Sequence, residues 1–218
     1  DIVETIPGFH HTRNRFNRLM EVAELDPQGR LSTCLPELEF IKAREQDVDR
    51  LLNLQERGVL PTRITHNDTK INNVMLDEDT DHAVCVIDLD TVMPGSSLYD
   101  FGDSIRFGAA TAAEDEKDLS KMEMSLERFR VFTRGYVRAC PGLTGKELEM
   151  LPMGAKTMTM ECGVRFLTDY LDGDHYFAVH RDGQNLDRAR TQFRLVADME
   201  KKWNEMQKIV AEEANKER

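Results

Sequence analysis

Apolar residues recur at helical spacing from the start of the chain. Phe16, Leu19, Met20 and Ala23 do so between Phe9 and Leu25, and Leu38, Ile41, Val48, Leu51 and Leu52 repeat the pattern before Gly58, which predicts two amphipathic helices. The texture then changes. Residues 63–66, 73–76 and 83–87 are short β-prone runs, and the turn-rich acidic stretch 77–81 between the last two predicts a hairpin. Beyond Pro94 and Gly95 the β signal ends and helical spacing returns over about 97–109, 118–139, 144–172 and 185–212. Thr144 with Glu147 reads as a capping box, and Pro152 inside the third of these stretches predicts a split or kink there. In the last stretch Leu186, Ala189, Phe193, Val196, Met199, Trp203, Met206 and Val210 mark one face lying along a core, with a charged, frayed tail from Glu212. Two helices, a small β island and four further helices make an α+β fold that is predominantly helical. An open parallel sheet would need strands alternating with helices to the end.

Composition narrows the partners. The 218 residues suffice for one substantial core, and one compact unit over 1–218 is the simpler reading. A net charge of -11, from 40 acidic against 29 basic residues, makes nucleic acid an unexpected partner. The same charge is silent about a metal–nucleotide complex, because a bound divalent cation and a few local cations set the potential inside a cleft. Cys34, Cys85, Cys140 and Cys162 are scattered without zinc-type spacing, and no stretch approaches a membrane span. A reduced, cytoplasmic protein without a membrane partner is the expectation; oligomeric state is not legible. The chain starts at Asp1 without methionine, and the expectation is processing or a preceding segment.

The chemistry gathers in the β island. His66, Asp68 and Asn73 occupy the fixed positions of the phosphotransfer loop H-x-D-x-x-x-x-N. That spacing lets one carboxylate accept a hydroxyl proton while an amide oxygen a short loop away reaches a phosphate-bound metal ion. Asp68 is the expected base, and His66 is expected to hold the loop backbone rather than to move protons. An apolar strand then runs into Asp88, suited to a second metal ligand beside Asn73, since magnesium takes one or two protein carboxylates and fills its shell with phosphate and water. Asp90 is open between a further metal ligand and a strand-end cap. Lys70 lies two residues past the base, where an ammonium would meet the charge on a transferred phosphoryl group.

Three segments carry a family resemblance: His66 to Asn73, Val86 to Gly95, and Leu98 to Asp103. The chain resembles the aminoglycoside phosphotransferase and choline kinase family, and within it the N-acetylhexosamine 1-kinases, a likeness strengthened by Glu161 to Tyr170 and Asn185 to Phe193. The resemblance implies the C-terminal lobe of a protein-kinase-like fold, with ATP as co-substrate, Mg2+ as cofactor, and phosphate transfer to the anomeric hydroxyl of an N-acetylhexosamine. It implies Asp68 as base, Asn73 and Asp88 as metal ligands, Asp100 as a brace for the loop backbone, and Thr91, Arg165 and Tyr176 on the sugar side. Arg165 could equally be an arginine buried against Asp169 or Glu161. Nothing before His66 reads as the N-terminal lobe that grips ATP, so that lobe is expected to lie outside this chain, which alone would turn over ATP poorly. Choline, homoserine or an aminoglycoside are alternative acceptors, and a non-catalytic kinase-like lobe is an alternative role. Asp88-Leu89-Asp90-Thr91-Val92 also resembles the nucleophile motif of haloacid dehalogenase-type phosphatases, in which Asp88 would be phosphorylated; that reading requires an alternating α/β core behind it.

Overall fold

A computed structural model describes residues 2–216. It contains nine helices and four short strands among those residues: α1 (Thr12–Leu25), α2 (Leu35–Lys42), α3 (Glu45–Val48), α4 (Arg50–Glu56), β1 (Arg63–Thr65), β2 (Val74–Leu76), β3 (Ala83–Val86), β4 (Met93–Gly95), α5 (Ser97–Gly108), α6 (Leu126–Ala139), α7 (Gly145–Asp172), α8 (Gln184–Lys201) and α9 (Trp203–Lys216). The strands form two separate antiparallel pairs, the β2–β3 hairpin and a β1–β4 ribbon in which Thr65 faces Met93. No alternating α/β core stands behind Asp88 among the described residues, so the dehalogenase-type reading lacks the sheet it requires.

α7 organises the rest. Most of its residues are buried, charged ones such as Glu147, Lys156, Glu161 and Asp169 included, and its two halves serve different cores. Met150, Leu151, Met153, Ala155 and Met158 pack with α5, α6 and α9, whereas Met160, Val164, Phe166, Leu167 and Leu171 pack with α1, α2 and α8. The helix runs unbroken through Pro152, against the predicted split. Pro152 removes one backbone donor, but it lies in a fully packed turn where the cost is offset by burial on every side. Gly102 of α5 and Gly154 of α7 let these two helices touch backbone to backbone: a Cβ at Gly102 would lie 2.3 Å from the Gly154 carbonyl oxygen, and one at Gly154 would lie 2.6 Å from that of Leu98.

Other boundaries differ from the sequence pattern for local reasons. The second predicted helix is three pieces, α2, α3 and α4, although Leu38, Ile41, Val48 and Leu51 are all buried as their spacing requires. The chain turns at Arg44, whose guanidinium lies over the Phe40 ring and pairs with Glu200, and the Thr12 hydroxyl donates to the carbonyl of Val48. The stretch 118–125 is loop and a single 3-10 turn rather than helix, tied by reciprocal Thr111–Glu123 contacts, and Ser125 caps α6. The last helix breaks at Lys202 into α8 and α9, where Lys202 Nζ bonds Asp198 (2.7 Å) and the Met124 carbonyl (2.9 Å). β4 includes Pro94 and Gly95, where the β signal ends, and pairs in register with β1, a strand the periodicity does not announce because three residues carry no period.

Glu147 ties this frame to the β island. Fully buried at the start of α7, it accepts from Arg63 of β1 through both carboxylate oxygens (2.7 Å each), from the Ser97 hydroxyl at the start of α5 (2.7 Å) and from the Thr144 N–H (2.7 Å). Burial pushes its carboxyl up, but Arg63 and the N–H and hydroxyl donors outweigh that and bring it down to about 2. Because the folded value is depressed, the stabilisation is complete above the ordinary value of 4.5 and disappears as the pH falls toward about 2. Glu147→Gln should therefore lower stability to urea at neutral pH by about 2–3 kcal/mol, less than for a fully buried pair because a third of Arg63 meets solvent. The difference from the parent protein should shrink below pH 4.5.

Candidate active site

The loop between β1 and β2 carries Asp68, and its backbone is held at nearly every polar atom. Asp100, in the first turn of α5, accepts the N–H of His66 at Oδ2 (2.9 Å) and that of Asn67 at Oδ1 (2.7 Å). Burial raises the Asp100 carboxyl above its ordinary value, while the two backbone donors pull it down. The His66 ring donates through Nε2 to the Ile87 carbonyl (3.0 Å), while Nδ1 accepts the Asp68 N–H (3.3 Å). That pattern fixes the neutral tautomer with its proton on Nε2. Asn67 takes the left-handed conformation (φ 65), one that asparagine adopts more readily than most residues, and its side-chain NH2 donates to the Thr91 carbonyl (3.0 Å). Gly95 makes room for this turn, since a Cβ there would lie 2.3 Å from Thr65 Oγ1.

Asp68 is only partly buried, and two of its neighbours in the loop converge on one oxygen. Lys70 Nζ lies 2.7 Å from Oδ2, and the Asn73 NH2 donates to the same oxygen (3.0 Å) and to the Asp68 carbonyl (2.8 Å). Oδ1 has no hydrogen-bond partner among the described residues and is the oxygen left to accept a proton. With its NH2 committed to Asp68, Asn73 has Oδ1 as its free donor atom for a cation. The β2–β3 pairing brings Asp88 alongside: the N–H of Ile87 donates to the Asn73 carbonyl (2.9 Å), and Asp88 follows in the left-handed region (φ 63). Asp88 and Asp90 are exposed, and neither carboxylate is engaged in a salt bridge among the described residues. An amide oxygen and a free carboxylate suit magnesium in their chemistry, although no cluster of three or more His, Cys, Asp or Glu that could hold a metal by itself occurs among the described residues.

A cleft of about 500 Å³ is lined by Asp68, Lys70, Asp88, Asp90 and Thr91 together with Arg165 of α7, Tyr176 and Phe177. Arg165 is not the buried ion pair that its apolar neighbours allowed. Its guanidinium sits 5.4–5.7 Å from the ring centroids of Phe177, Tyr176 and Phe9, bonds the Tyr176 hydroxyl (3.2 Å), and has no carboxylate in salt-bridge range among the described residues. Asp169 instead accepts three backbone N–H groups, from His175, Tyr176 and Phe177, and so shapes the turn that presents Tyr176. Thr91 is buried and its hydroxyl donates to the His66 carbonyl (2.6 Å), so its proton serves the loop and only its oxygen lone pairs remain for a ligand. His66, Asn73 and Asp100 lie beside the cleft rather than on its wall.

The cleft is also lined by titratable residues to which the sequence pattern assigns no site role: His10, Asp103, Arg106, Glu114, Glu161 and Arg188. Arg106 is buried and pairs with Asp103 (2.8 Å) and Glu114 (2.7 Å). Their one signal in the sequence is charge at positions of α5 and α7 where the helical period calls for core, as at Asp103, Arg106 and Glu161.

A loop with a clamped backbone thus brings a carboxylate, an ammonium and two further acids to one cleft. Residues 2–125 match the model of the phosphotransferase enzyme family (APH), more than half of the chain, and the protein belongs to that family.

Proposed function

We propose that this chain is the catalytic lobe of an ATP- and Mg2+-dependent kinase that phosphorylates a hydroxyl of a small molecule, the anomeric hydroxyl of an N-acetylhexosamine. The observation that carries the reading is the shared cleft: the base candidate Asp68 and the free acids Asp88 and Asp90 face the same space as Arg165 and Tyr176. In the proposed reaction Asp68 Oδ1 accepts the proton of the acceptor hydroxyl as that oxygen bonds to the γ-phosphorus. The bond from that phosphorus to the β,γ-bridging oxygen breaks, and ADP leaves. Lys70, held on Asp68 Oδ2, lies where it offsets charge on the phosphoryl oxygens, and positioning supplies much of the rate. Asn73 Oδ1 and Asp88 would hold the magnesium ion, which when bound neutralises phosphate charge. Arg165 and the Tyr176 hydroxyl are hydrogen-bond donors to the acceptor's oxygens.

A separate nucleotide-gripping lobe is part of the proposal. Its support is the hairpin surface, where Met75, Leu76, Val84, Val86 and Leu89 are apolar yet exposed, Val84 by 62% and Leu89 by 60%. A free guanidinium on the cleft wall disfavours the cationic choline as acceptor. No helix among the described residues is long and apolar enough to cross a membrane.

The test is a kinase assay of the full-length polypeptide with Mg-ATP against N-acetylhexosamines, choline, homoserine and an aminoglycoside, with the phosphate located by phosphorus NMR. The proposal expects a 1-phosphate of an N-acetylhexosamine. Phosphorylation of none of the sugars would refute the acceptor, and phosphorylation of no acceptor would refute the kinase. In the same assay Arg165→Met should raise the acceptor KM by about 10- to 100-fold, the loss of one or two charge-assisted hydrogen bonds, while the KM for ATP stays within about twofold.

A further inference from the structure

His10, from the segment ahead of α1, reaches the catalytic loop at the Asn67 carbonyl. It stands between Gly8, which turns the chain with φ 66, and α1, and it is 8% exposed. Each of its ring nitrogens faces an oxygen: Nε2 lies 2.9 Å from the carbonyl of Asn67, and Nδ1 lies 2.8 Å from Oε1 of Glu161, a residue 3% exposed. A backbone carbonyl only accepts, so Nε2 carries a proton. A second hydrogen must fill the Nδ1–Oε1 contact, and it belongs either to an imidazolium or to a carboxylic acid.

The surroundings favour the imidazolium. Asp100 and Asp103 of α5 lie close enough to the ring to favour its positive charge, Asp103 being shared with Arg106, and Arg15 of α1 lies near Glu161 and Arg165 of α7. The Phe9 and Tyr99 rings close the remaining sides at centroid distances of 4.6 and 5.1 Å, and the Tyr99 phenol is pushed toward its neutral form by burial and by Glu161. Burial by itself would lower the His10 pKa, but Glu161, the Asn67 carbonyl and Asp103 leave it raised above 6.5.

The bond falls on one particular peptide. The carbonyl of Asn67 and the N–H of Asp68 belong to the same plane, and His10 holds the oxygen while His66 Nδ1 holds the N–H. Two histidines, one from outside the motif, thus fix the peptide that sets the direction of the Asp68 side chain. We propose that His10, held as an imidazolium by Glu161, is a positioning residue that clamps the 67–68 peptide and thereby aims Asp68 into the cleft. Loss of the second proton loosens the clamp by costing the ring one of its two bonds: a neutral ring with an ionised Glu161 must turn a lone pair either on the carboxylate or on the Asn67 carbonyl. Since the folded value is raised, the clamp is intact below the ordinary value of 6.5 and opens as pH rises through the folded value.

The inference rests on the phosphotransfer reading for its effect on turnover, and its charge state is tested without turnover. In the chain labelled with 15N-histidine, both His10 ring nitrogens should be protonated at neutral pH. They should stay so above the ordinary histidine value of 6.5, the signals being assigned by their loss in His10→Gln. A His10 that loses a ring proton below that value, or carries one ring proton at pH 7, overturns the proposal. In Glu161→Gln the side-chain amide can donate to a neutral Nδ1 while Nε2–H still reaches Asn67, so the variant should lose the alkaline fall in its pH profile. His10→Ala should lower kcat about tenfold or more with the KM for ATP unchanged. Parent-like kcat in a folded His10→Ala, or an unchanged alkaline limb in Glu161→Gln, counts against the clamp. Absence of phosphotransfer in the parent counts against the kinase reading and leaves the NMR result standing.

Discussion

Asp68→Asn in the full-length polypeptide should lower kcat by about 10²- to 10⁴-fold, the range that a positioned general base supplies. The substitution keeps the shape of the side chain, and its amide oxygen can still accept from the Lys70 ammonium and the Asn73 NH2 that converge on Oδ2. The loop should therefore hold, because its backbone is anchored by Asp100, His66 and Thr91 rather than by the Asp68 carboxylate. Melting temperature should change little, since the Asp68–Lys70 pair is partly solvent-exposed and such pairs contribute about 0–1 kcal/mol. The KM for ATP should likewise stay close to that of the parent. A variant that is folded, binds nucleotide and retains most of its turnover would remove Asp68 from the reaction.

Asp88→Asn is the second large expected loss. Asp88 sits in the left-handed region (φ 63), which asparagine tolerates as well as aspartate does, so the turn should survive. What changes is the charge on a carboxylate that has no salt-bridge partner among the described residues and stands beside Asn73 across the β2–β3 ladder. Half-saturation by magnesium should move up about tenfold or more and kcat should fall about a hundredfold, in line with the several kcal/mol that a phosphate-bound metal ion contributes. Titrating turnover against magnesium separates the two effects. Parent-like magnesium dependence would free Asp88 from the metal role and return the question to Asp90.

Much of this frame is legible in the residues, and the failures have physical causes. Burial follows the helical period closely: Phe16, Leu19, Leu38, Ile41, Val48, Phe193, Val196, Met199 and Met206 all lie in the core. The hairpin β2–β3 is marked by its acidic turn. Helix ends are less legible, because they are decided by contacts distant in sequence. Arg44 turns the chain toward Glu200, and Lys202 ends α8 by binding Asp198 and the Met124 carbonyl. Pro152 misleads in the other direction, since tertiary packing on α7 overrides its helix-breaking tendency.

The site divides in the same way. Loop spacing picks out His66, Asp68 and Asn73 as candidates, and the end of an apolar strand picks out Asp88. No spacing links His10 to Glu161, which are 151 residues apart, or gives Thr91 its bond to the His66 carbonyl. The clue available for Glu161 was an acid in a helix otherwise destined for the core, and it shares that face of α7 with Arg165, whose side chain finds three aromatic rings instead of an acid.

The most direct test is a crystal structure of the full-length polypeptide with magnesium, a non-hydrolysable ATP analogue and N-acetylglucosamine or N-acetylgalactosamine. The account predicts a metal ion ligated by Asn73 Oδ1 and Asp88, with the anomeric hydroxyl of the sugar within hydrogen-bond distance of Asp68 Oδ1 and in line with the γ-phosphorus. A nucleotide bound away from Asn73 and Asp88, or a sugar whose anomeric hydroxyl points away from Asp68, would contradict it.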